Sequence, residues 1–370
     1  MKQNSGKKTR IIIYTIFGVF LGVFLVYGII YKFPTLFQET ITKIEKDVTV
    51  TDKGIADAVE KVYDSVIIVS TYKNDMLYSS GSGFVYKIDN KKSYIITNHH
   101  VIADGDKFEI TYTDGDVLEA KLLGGDQYAD IAVLEVKTKD NIKAVNIGST
   151  EALRVGDTTF TVGAPLDYAY SWTVTRGIIS GKERLVEVST SNNSSSDYVM
   201  NVLQTDAAVN SGNSGGPLCD SNGEVIGVIS AKISSTGVEG MGFAIPIETA
   251  IEKVEQMISG ESTEYPFLGI EMYNVSNINR FSSYYRYTNY GEITSGVLIA
   301  TVTKNSSAEN AKLQTGDIIK EINGKEISNV AYLRYELYKY KVGNTIKVVI
   351  IRDGKEKTVS VKLTSKAELS

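Results

Sequence analysis

The sequence predicts a mainly β protein of two domains, carried behind an apolar N-terminal helix. Three observations lead there. Short runs rich in Val, Ile, Thr and aromatic residues are separated by Gly, Asn and Asp, which fits a sandwich or barrel rather than a parallel α/β sheet. The chain has 370 residues and 42% hydrophobic content, more than one ordinary core holds. Finally, Ile11 to Tyr31 contains no charged residue.

The apolar run has the length of about 20 residues that a helix needs to cross a bilayer. Lys2, Lys7, Lys8 and Arg10 precede it with no acidic residue, so the positive-inside bias places residues 1–10 in the cytoplasm. A cleaved signal peptide would have a shorter apolar core and a small-residue cleavage pair, neither of which occurs. The expectation is a single-pass anchor over 11–31 in the cell membrane, a linker over 32–52, and all later residues outside. Removing the five basic residues up to Lys32 takes the formal charge from -5 to -10. Such an ectodomain is not held to anionic lipid by its own charge, and without basic clusters it has no footprint for nucleic acid.

From residue 53 to 260 the elements follow in order. Asp52 caps a short helix through Ile55 and Val59, and Ser65–Ser70 reads as a strand. Further strands are read at Gly83–Tyr86, Ser93–Thr97, Asp130–Leu134, Thr158–Val162 and Glu224–Ile229. Ser189–Asp197 is a polar interruption without apolar pattern, read as a loop. Pro246 to Gly260 is a helix with Ile247, Ala250, Ile251, Val254 and Ile258 on one face, closed by the glycine. A second domain, 261–370, carries strands near Gly269–Val275, Gly296–Val302 and Thr345–Ile351, an Asn323-Gly324 hairpin turn and a helix from Asn329 to Tyr340.

Chemistry concentrates in a few residues. The only two histidines are adjacent, in Thr97-Asn98-His99-His100-Val101, and Gly212-Asn213-Ser214-Gly215-Gly216-Pro217 lies downstream. Glycines on both sides of a serine let backbone N–H groups turn to one point, as an oxyanion site needs. Ser214 is therefore the candidate nucleophile, and it requires a base held by a third group. If the strand through Ile95 and Ile96 continued, His99 and His100 would point to opposite faces, and pattern alone does not choose between them. Asp130 is the leading orienting acid, with Asp104, Asp106 and Asp126 as alternatives. Two adjacent histidines and one cysteine lack the ligand spacing of a metal site, and no cofactor is expected. Cys219 reads as a small buried strand residue.

The motifs Thr97–Val101, Asp130-Ile131-Ala132-Val133-Leu134 and Thr205-Asp206-Ala207-Ala208-Val209-Asn210-Ser211-Gly212-Asn213-Ser214-Gly215-Gly216-Pro217-Leu218 resemble the HtrA (Deg) family of serine proteases. The resemblance continues through Gly240–Pro246 and covers roughly residues 53–365. It implies a chymotrypsin-like pair of six-stranded barrels with the reactive groups between them, over residues 53–260. The family's Thr-Asn-x-His-Val motif places the base at His100. By the same match Asp130 orients the imidazole, and the turn Gly212, Asn213, Ser214 forms the oxyanion hole, with the N–H groups of Gly212 and Ser214 as donors and Asn213 shaping the turn. It also implies a specificity pocket at Ala208, Val209, Asn210 and the segment Ile229–Ile233, including Ser230 and Ala231. None of these is acidic, so a small to medium apolar P1 residue is favoured, with Lys232 read as solvated.

Tyr265-Pro266-Phe267-Leu268-Gly269-Ile270 resembles the carboxylate-binding loop and strand of a PDZ domain of that family. Such a domain binds C-terminal peptides by strand addition at Phe267, Leu268, Gly269 and Ile270, against a helix carrying Leu333 and Leu337 at i, i+4. Asn277–Glu292 departs from a compact pattern with Tyr284, Tyr285, Tyr287 and Tyr290, read as a loop packed on its own rings. Tyr72–Ser82 is read as a short segment between the first two barrel strands. Family members with an anchor and one PDZ domain are typically trimers, so a homotrimer is expected. The implied activity is endoproteolysis of unfolded or damaged polypeptides in envelope quality control, with PDZ peptide binding as regulator through loops near 182–198 and 230–240. The competing class is a PDZ scaffold or chaperone on an inactive protease fold, and the intact Ser, His and Asp positions weigh against it.

Overall fold

The computed structural model describes residues 24, 32, 52–163, 172–189, 198–233, 240–261, 264–277 and 293–366. The expected tail, the anchor apart from Phe24, nearly all of the linker, the polar loop after Ser189 and the four clustered tyrosines lie outside the described residues. Among the described residues no helix is long and apolar enough to cross a membrane.

The first barrel follows helix α1 (Asp52–Val62) and consists of β1 (Val66–Lys73), β2 (Met76–Asp89), β3 (Lys92–Thr97), β4 (Lys107–Thr111), β5 (Val117–Asp126) and β6 (Ile131–Lys137). It closes in the order β1-β2-β3-β6-β5-β4. Asn74 and Asp75, both at positive φ, make the two-residue turn between β1 and β2. Tyr72–Ser82 is thus mostly paired strand and not a connecting segment, because β1 and β2 run on through it to the hairpin tip. A four-residue helix, α2 (His99–Ile102), interrupts the chain directly after β3.

The second barrel is built from β7 (Asn146–Ile147), β8 (Thr158–Gly163), β9 (Thr173–Val188), β10 (Tyr198–Thr205), β11 (Pro217–Asp220), β12 (Glu224–Ile229) and β13 (Gly242–Pro246). Its order is β11-β8-β9-β10-β13-β12-β7, and the β11–β12 pairing closes six of these into a ring. The resemblance implies six strands; the seventh, β7, pairs parallel to β12 at Glu224 and Val225. Helix α3 (Ile247–Ser259) follows, and Gly260 ends it at φ 72, its N–H reaching Gln256 and Met257 carbonyls.

The apolar strands lack polar alternation because each divides its side chains between two cores. Ala132, Leu134 and Val136 of β6 fill the first barrel, while Ile131 and Val133 face a second cluster with Phe84, Ile96, Phe160 and Val162 that joins the barrels. In β12, Ile226 and Ile229 fill the second barrel, and Val225 and Val228 join the shared cluster. Each fully buried Ile, Leu or Val contributes about 1.5–3 kcal/mol. The shared cluster fixes one barrel against the other, and the crevice between them inherits that rigidity.

The second domain has β14 (Ile270–Asn274), β15 (Val297–Val302), helix α4 (Ser307–Asn310), β16 (Ile318–Ile322), β17 (Lys325–Glu326), helix α5 (Val330–Leu337), β18 (Thr345–Arg352) and β19 (Lys355–Lys362). Asn323 and Gly324 take positive φ between β16 and β17. Asn329 caps α5, its side chain accepting from the Tyr332 N–H at 2.9 Å. The core includes Leu268, Leu333, Leu337, Ile346 and Ile350.

Candidate active site

The two candidate bases follow directly on β3. Asn98 is extended, and the backbone turns into α2 there, so His99 and His100 are successive helical residues about 100° apart rather than on opposite strand faces. The His100 ring turns to Asp130, with Nδ1 2.9 Å from each carboxylate oxygen, and its backbone N–H donates to Oδ1 at 3.0 Å. The His99 ring packs on Gly125, where an added Cβ would stand 2.8 Å from His99 Cδ2. Burial lowers the pKa of His99, favouring its neutral form.

Asp130 occupies the turn before β6 at φ 53, a left-handed conformation that strains a side chain with a Cβ. Four bonds hold that turn. The Asn98 amide donates to the Asp130 carbonyl at 2.8 Å, and the Ser230 hydroxyl donates to Oδ2 at 2.8 Å, beside the two His100 donors. Burial alone would raise the Asp130 pKa, but the charge and hydrogen bonds of His100, with the Ser230 bond, bring it below the ordinary carboxylate range. The other acidic candidates are engaged elsewhere: Asp106 accepts from the Asn74 N–H at 2.9 Å, Asp126 from the N–H groups of Tyr128 and Ala129 at 2.9 and 3.0 Å, and Asp104 lies in a turn at φ 62.

The turn with the candidate nucleophile belongs to the second barrel. Ser214 is 5% exposed, and its hydroxyl accepts from the Ala231 N–H at 3.1 Å, which leaves its proton available to a base. Among the described residues no hydrogen bond joins Ser214 to His100. Gly212 is at φ 100. The Asn213 N–H reaches the Asn210 carbonyl at 3.0 Å, the Gly216 N–H reaches the Asn213 carbonyl at 2.9 Å, and the Gly215 N–H reaches Ile229 at 2.8 Å. The N–H groups of Gly212 and Ser214 donate to no acceptor among the described residues. The Asn213 side chain is buried, donating to the Ala208 carbonyl at 3.3 Å.

The residues assigned to a pocket divide. Ala208 and Asn210 are exposed and Val209 is half-buried, following β10 beside the nucleophile turn. Ala231 opens a short helical turn, Ala231–Ile233, and Lys232 is exposed. Ser230 departs from its assignment: it is fully buried with its hydroxyl on Asp130, so it supports the carboxylate instead of lining a pocket. Cys219 is fully buried in β11, and burial pushes its thiol pKa far up.

Sequence reasoning missed Ser82 of β2. It is buried, its N–H donates to the Ser214 carbonyl at 2.8 Å, its hydroxyl donates to the Gly212 carbonyl at 2.7 Å, and its own carbonyl accepts from Thr97 Oγ1 at 2.8 Å. The available signal was Gly81-Ser82-Gly83 inside an apolar strand, since strand glycines mark close backbone approach.

In the second domain Phe267, Leu268, Gly269, Ile270, Leu333 and Leu337 all line one cavity of about 350 Å³. The Leu268 and Gly269 carbonyls accept from the N–H groups of Ala308 and Thr303 at 2.9 and 2.8 Å, and their own N–H groups have no acceptor among the described residues. Tyr128, from the turn before Asp130, completes the wall. Its ring lies 5.2 Å from that of Tyr265 and 4.9 Å from that of Tyr338. The Tyr265 hydroxyl in turn donates to Asp126 at 2.5 Å.

The trypsin-like peptidase domain family matches residues 81–228, and the PDZ domain family matches residues 266–363. Serine protease Do-like HtrB of Bacillus subtilis (strain 168) is 38% identical over 333 residues, spanning 86% of this chain and 72% of that protein. Serine protease Do-like HtrA of the same organism is 40% identical over 301 residues, spanning 81% and 66%. Among solved structures, the serine endoprotease from Yersinia pestis has a TM-score of 0.62 at 28% identity, covering 86% of this chain and 99% of that one. The HtrA-type protease AlgW with a decapeptide has a TM-score of 0.65 at 27% identity, covering 84% and 98%. With a peptidase domain and a PDZ domain in this order, and relatives matched along most of their length, the chain belongs to the HtrA (Deg) family and is a serine endopeptidase.

Proposed function

We propose that the enzyme cleaves unfolded polypeptides with Ser214 as nucleophile, His100 as base and Asp130 as the group that orients it. The observation that carries this reading is the buried Asp130 carboxylate bound to His100 Nδ1, which directs Nε2 outward as the proton acceptor. In acylation, the Ser214 oxygen attacks the scissile carbonyl carbon while its proton passes to His100 Nε2. The carbonyl oxygen gathers charge and is met by the N–H groups of Gly212 and Ser214. Collapse breaks the C–N bond, and His100 returns the proton to the departing amine. Water then repeats the sequence on the acyl-enzyme. Pocket residues Ala208, Val209 and Asn210 carry no charge, which supports an apolar P1 residue.

The finer reading extends to place and regulation. An uncharged Ile11–Tyr31 after four basic residues supports an anchored enzyme with domains 53–260 and 261–370 outside the cell membrane, acting on damaged proteins of the envelope. The cavity at Leu268 and Gly269 supports capture of a C-terminal peptide that regulates the protease, and assembly as a homotrimer accords with the family layout. Casein digestion by the chain beside Ser214→Ala tests the core of this: a loss of about 10⁴–10⁶-fold in kcat is expected. Equal cleavage by both proteins would refute it.

A further inference from the structure

The oxyanion turn is a series of peptide planes, and the hydrogen bonds show which of them are held. The plane joining Gly212 to Asn213 is pinned at both ends, its carbonyl by Ser82 Oγ and its N–H by Asn210. The plane joining Ser214 to Gly215 is likewise pinned, its carbonyl by the Ser82 N–H and its N–H by Ile229. Between and before these lie the planes whose N–H groups, on Ser214 and Gly212, have no acceptor among the described residues. Ser82 thus grips the turn at two of its carbonyls, from the opposite barrel.

The grip is tied to the base as well. The Ser82 carbonyl accepts from Thr97 Oγ1, and Thr97 ends the strand that leads through Asn98 into His100. The contact is close-packed: a Cβ added to Gly215 would lie 2.1 Å from the Ser82 carbonyl oxygen, and one added to Gly81 would lie 3.0 Å from the Ser214 carbonyl oxygen. A fully buried hydroxyl that gives its proton to a main-chain carbonyl in such a place constrains the orientation of that plane.

We propose that Ser82 is a positioning residue for the oxyanion site: by holding the Gly212 and Ser214 carbonyls, it sets the two free N–H groups of the turn toward the reacting carbonyl. It touches neither substrate nor reacting atoms. This rests on the roles given above to Ser214 and its turn. Because a preorganised donor acts most strongly on charge that develops in the transition state, loss of the hydroxyl acts on kcat rather than on KM.

The test compares Ser82→Ala, which removes the hydroxyl, with Ser82→Cys, which keeps the volume and a weak donor, and Ser82→Thr, which keeps the hydroxyl. Kinetics on a fluorogenic peptide amide are read beside binding of a peptidyl boronic acid with valine at P1, whose tetrahedral oxygen occupies the oxyanion site, and of the descarboxy product peptide, which ends in an isobutylamide at P1 and so carries no oxygen at the reacting centre. Ser82→Ala is expected to lose about 10–100-fold in kcat and in boronate affinity, with KM and product-peptide affinity within about twofold. Ser82→Cys should fall between, and Ser82→Thr should recover kcat. Where the threonine methyl disturbs folding, the Ala and Cys pair decides. Unchanged kcat in both would overturn the proposal, as would a rise in KM and a loss of product affinity as large as the loss in kcat. A fluorophosphonate that fails to label Ser214 in the unaltered enzyme would overturn the role of Ser214 and the clamp with it, whereas labelling with full kcat in Ser82→Ala would overturn the clamp alone.

Discussion

The two barrels build their halves of the proposed active site by different means. The first assembles its acid and base through side chains, with a buried carboxylate gathering donors from His100 and Ser230. The second assembles its half from main chain, where a glycine-rich turn is held through carbonyls and leaves the Gly212 and Ser214 N–H groups without an acceptor among the described residues. The difference teaches that the first half is sensitive to the identity of its side chains, while the second is sensitive to backbone conformation and to whatever grips it.

Substitutions at the two halves should separate these sensitivities. The largest effect is expected for Asp130→Asn, about 10⁴-fold in kcat, because the amide no longer enforces the His100 tautomer. His99→Ala, beside it in sequence, should stay within about tenfold in the same casein assay. A larger loss at His99 than at Asp130 would dissolve the account of the first half. Next comes Gly215→Ala, where a Cβ meets the Ser82 carbonyl at 2.1 Å on a backbone at φ 85. Backbone strain plus a clash against main chain should cost more than about 2 kcal/mol in urea unfolding, and a variant of unchanged midpoint would show the turn to be pliable. The smallest effect is a pH slope. Asp130 has a lowered native pKa, so its contribution to stability is complete above the ordinary aspartate value of 3.8 and is lost as pH falls through the lowered one. The stability gap between the enzyme and Asp130→Asn should therefore narrow on acidification, and a gap that widens would contradict the sign.

Much of this was legible in the sequence because it is written locally. Apolar runs such as Ile131–Leu134 announce strands, and the structure explains their missing polar alternation by a core on either side. Pro246 and Gly260 bracket α3 through backbone preferences that act within a turn. The motifs around His100, Asp130 and Ser214 are legible as chemistry. Illegible were partnerships that only folding creates. Ser82 meets a carbonyl 130 positions away, and Ser230 looks like a pocket residue until its hydroxyl is seen on Asp130. The strand argument about the histidines failed at Asn98, where an extended residue starts a helix that no strong apolar period marks. The same holds for Tyr128, an aromatic residue in a loop whose ring neighbours Tyr265 and Tyr338 arrive from more than 130 positions downstream.

That tyrosine has a practical consequence. One wall of the slot that would receive a peptide end belongs to the protease domain, so a recombinant fragment beginning at residue 261 carries an incomplete receptor. Ligands ranked on the fragment are ranked for a different site from the one the intact enzyme offers, and a screen for inhibitors or activators should be run on both domains together.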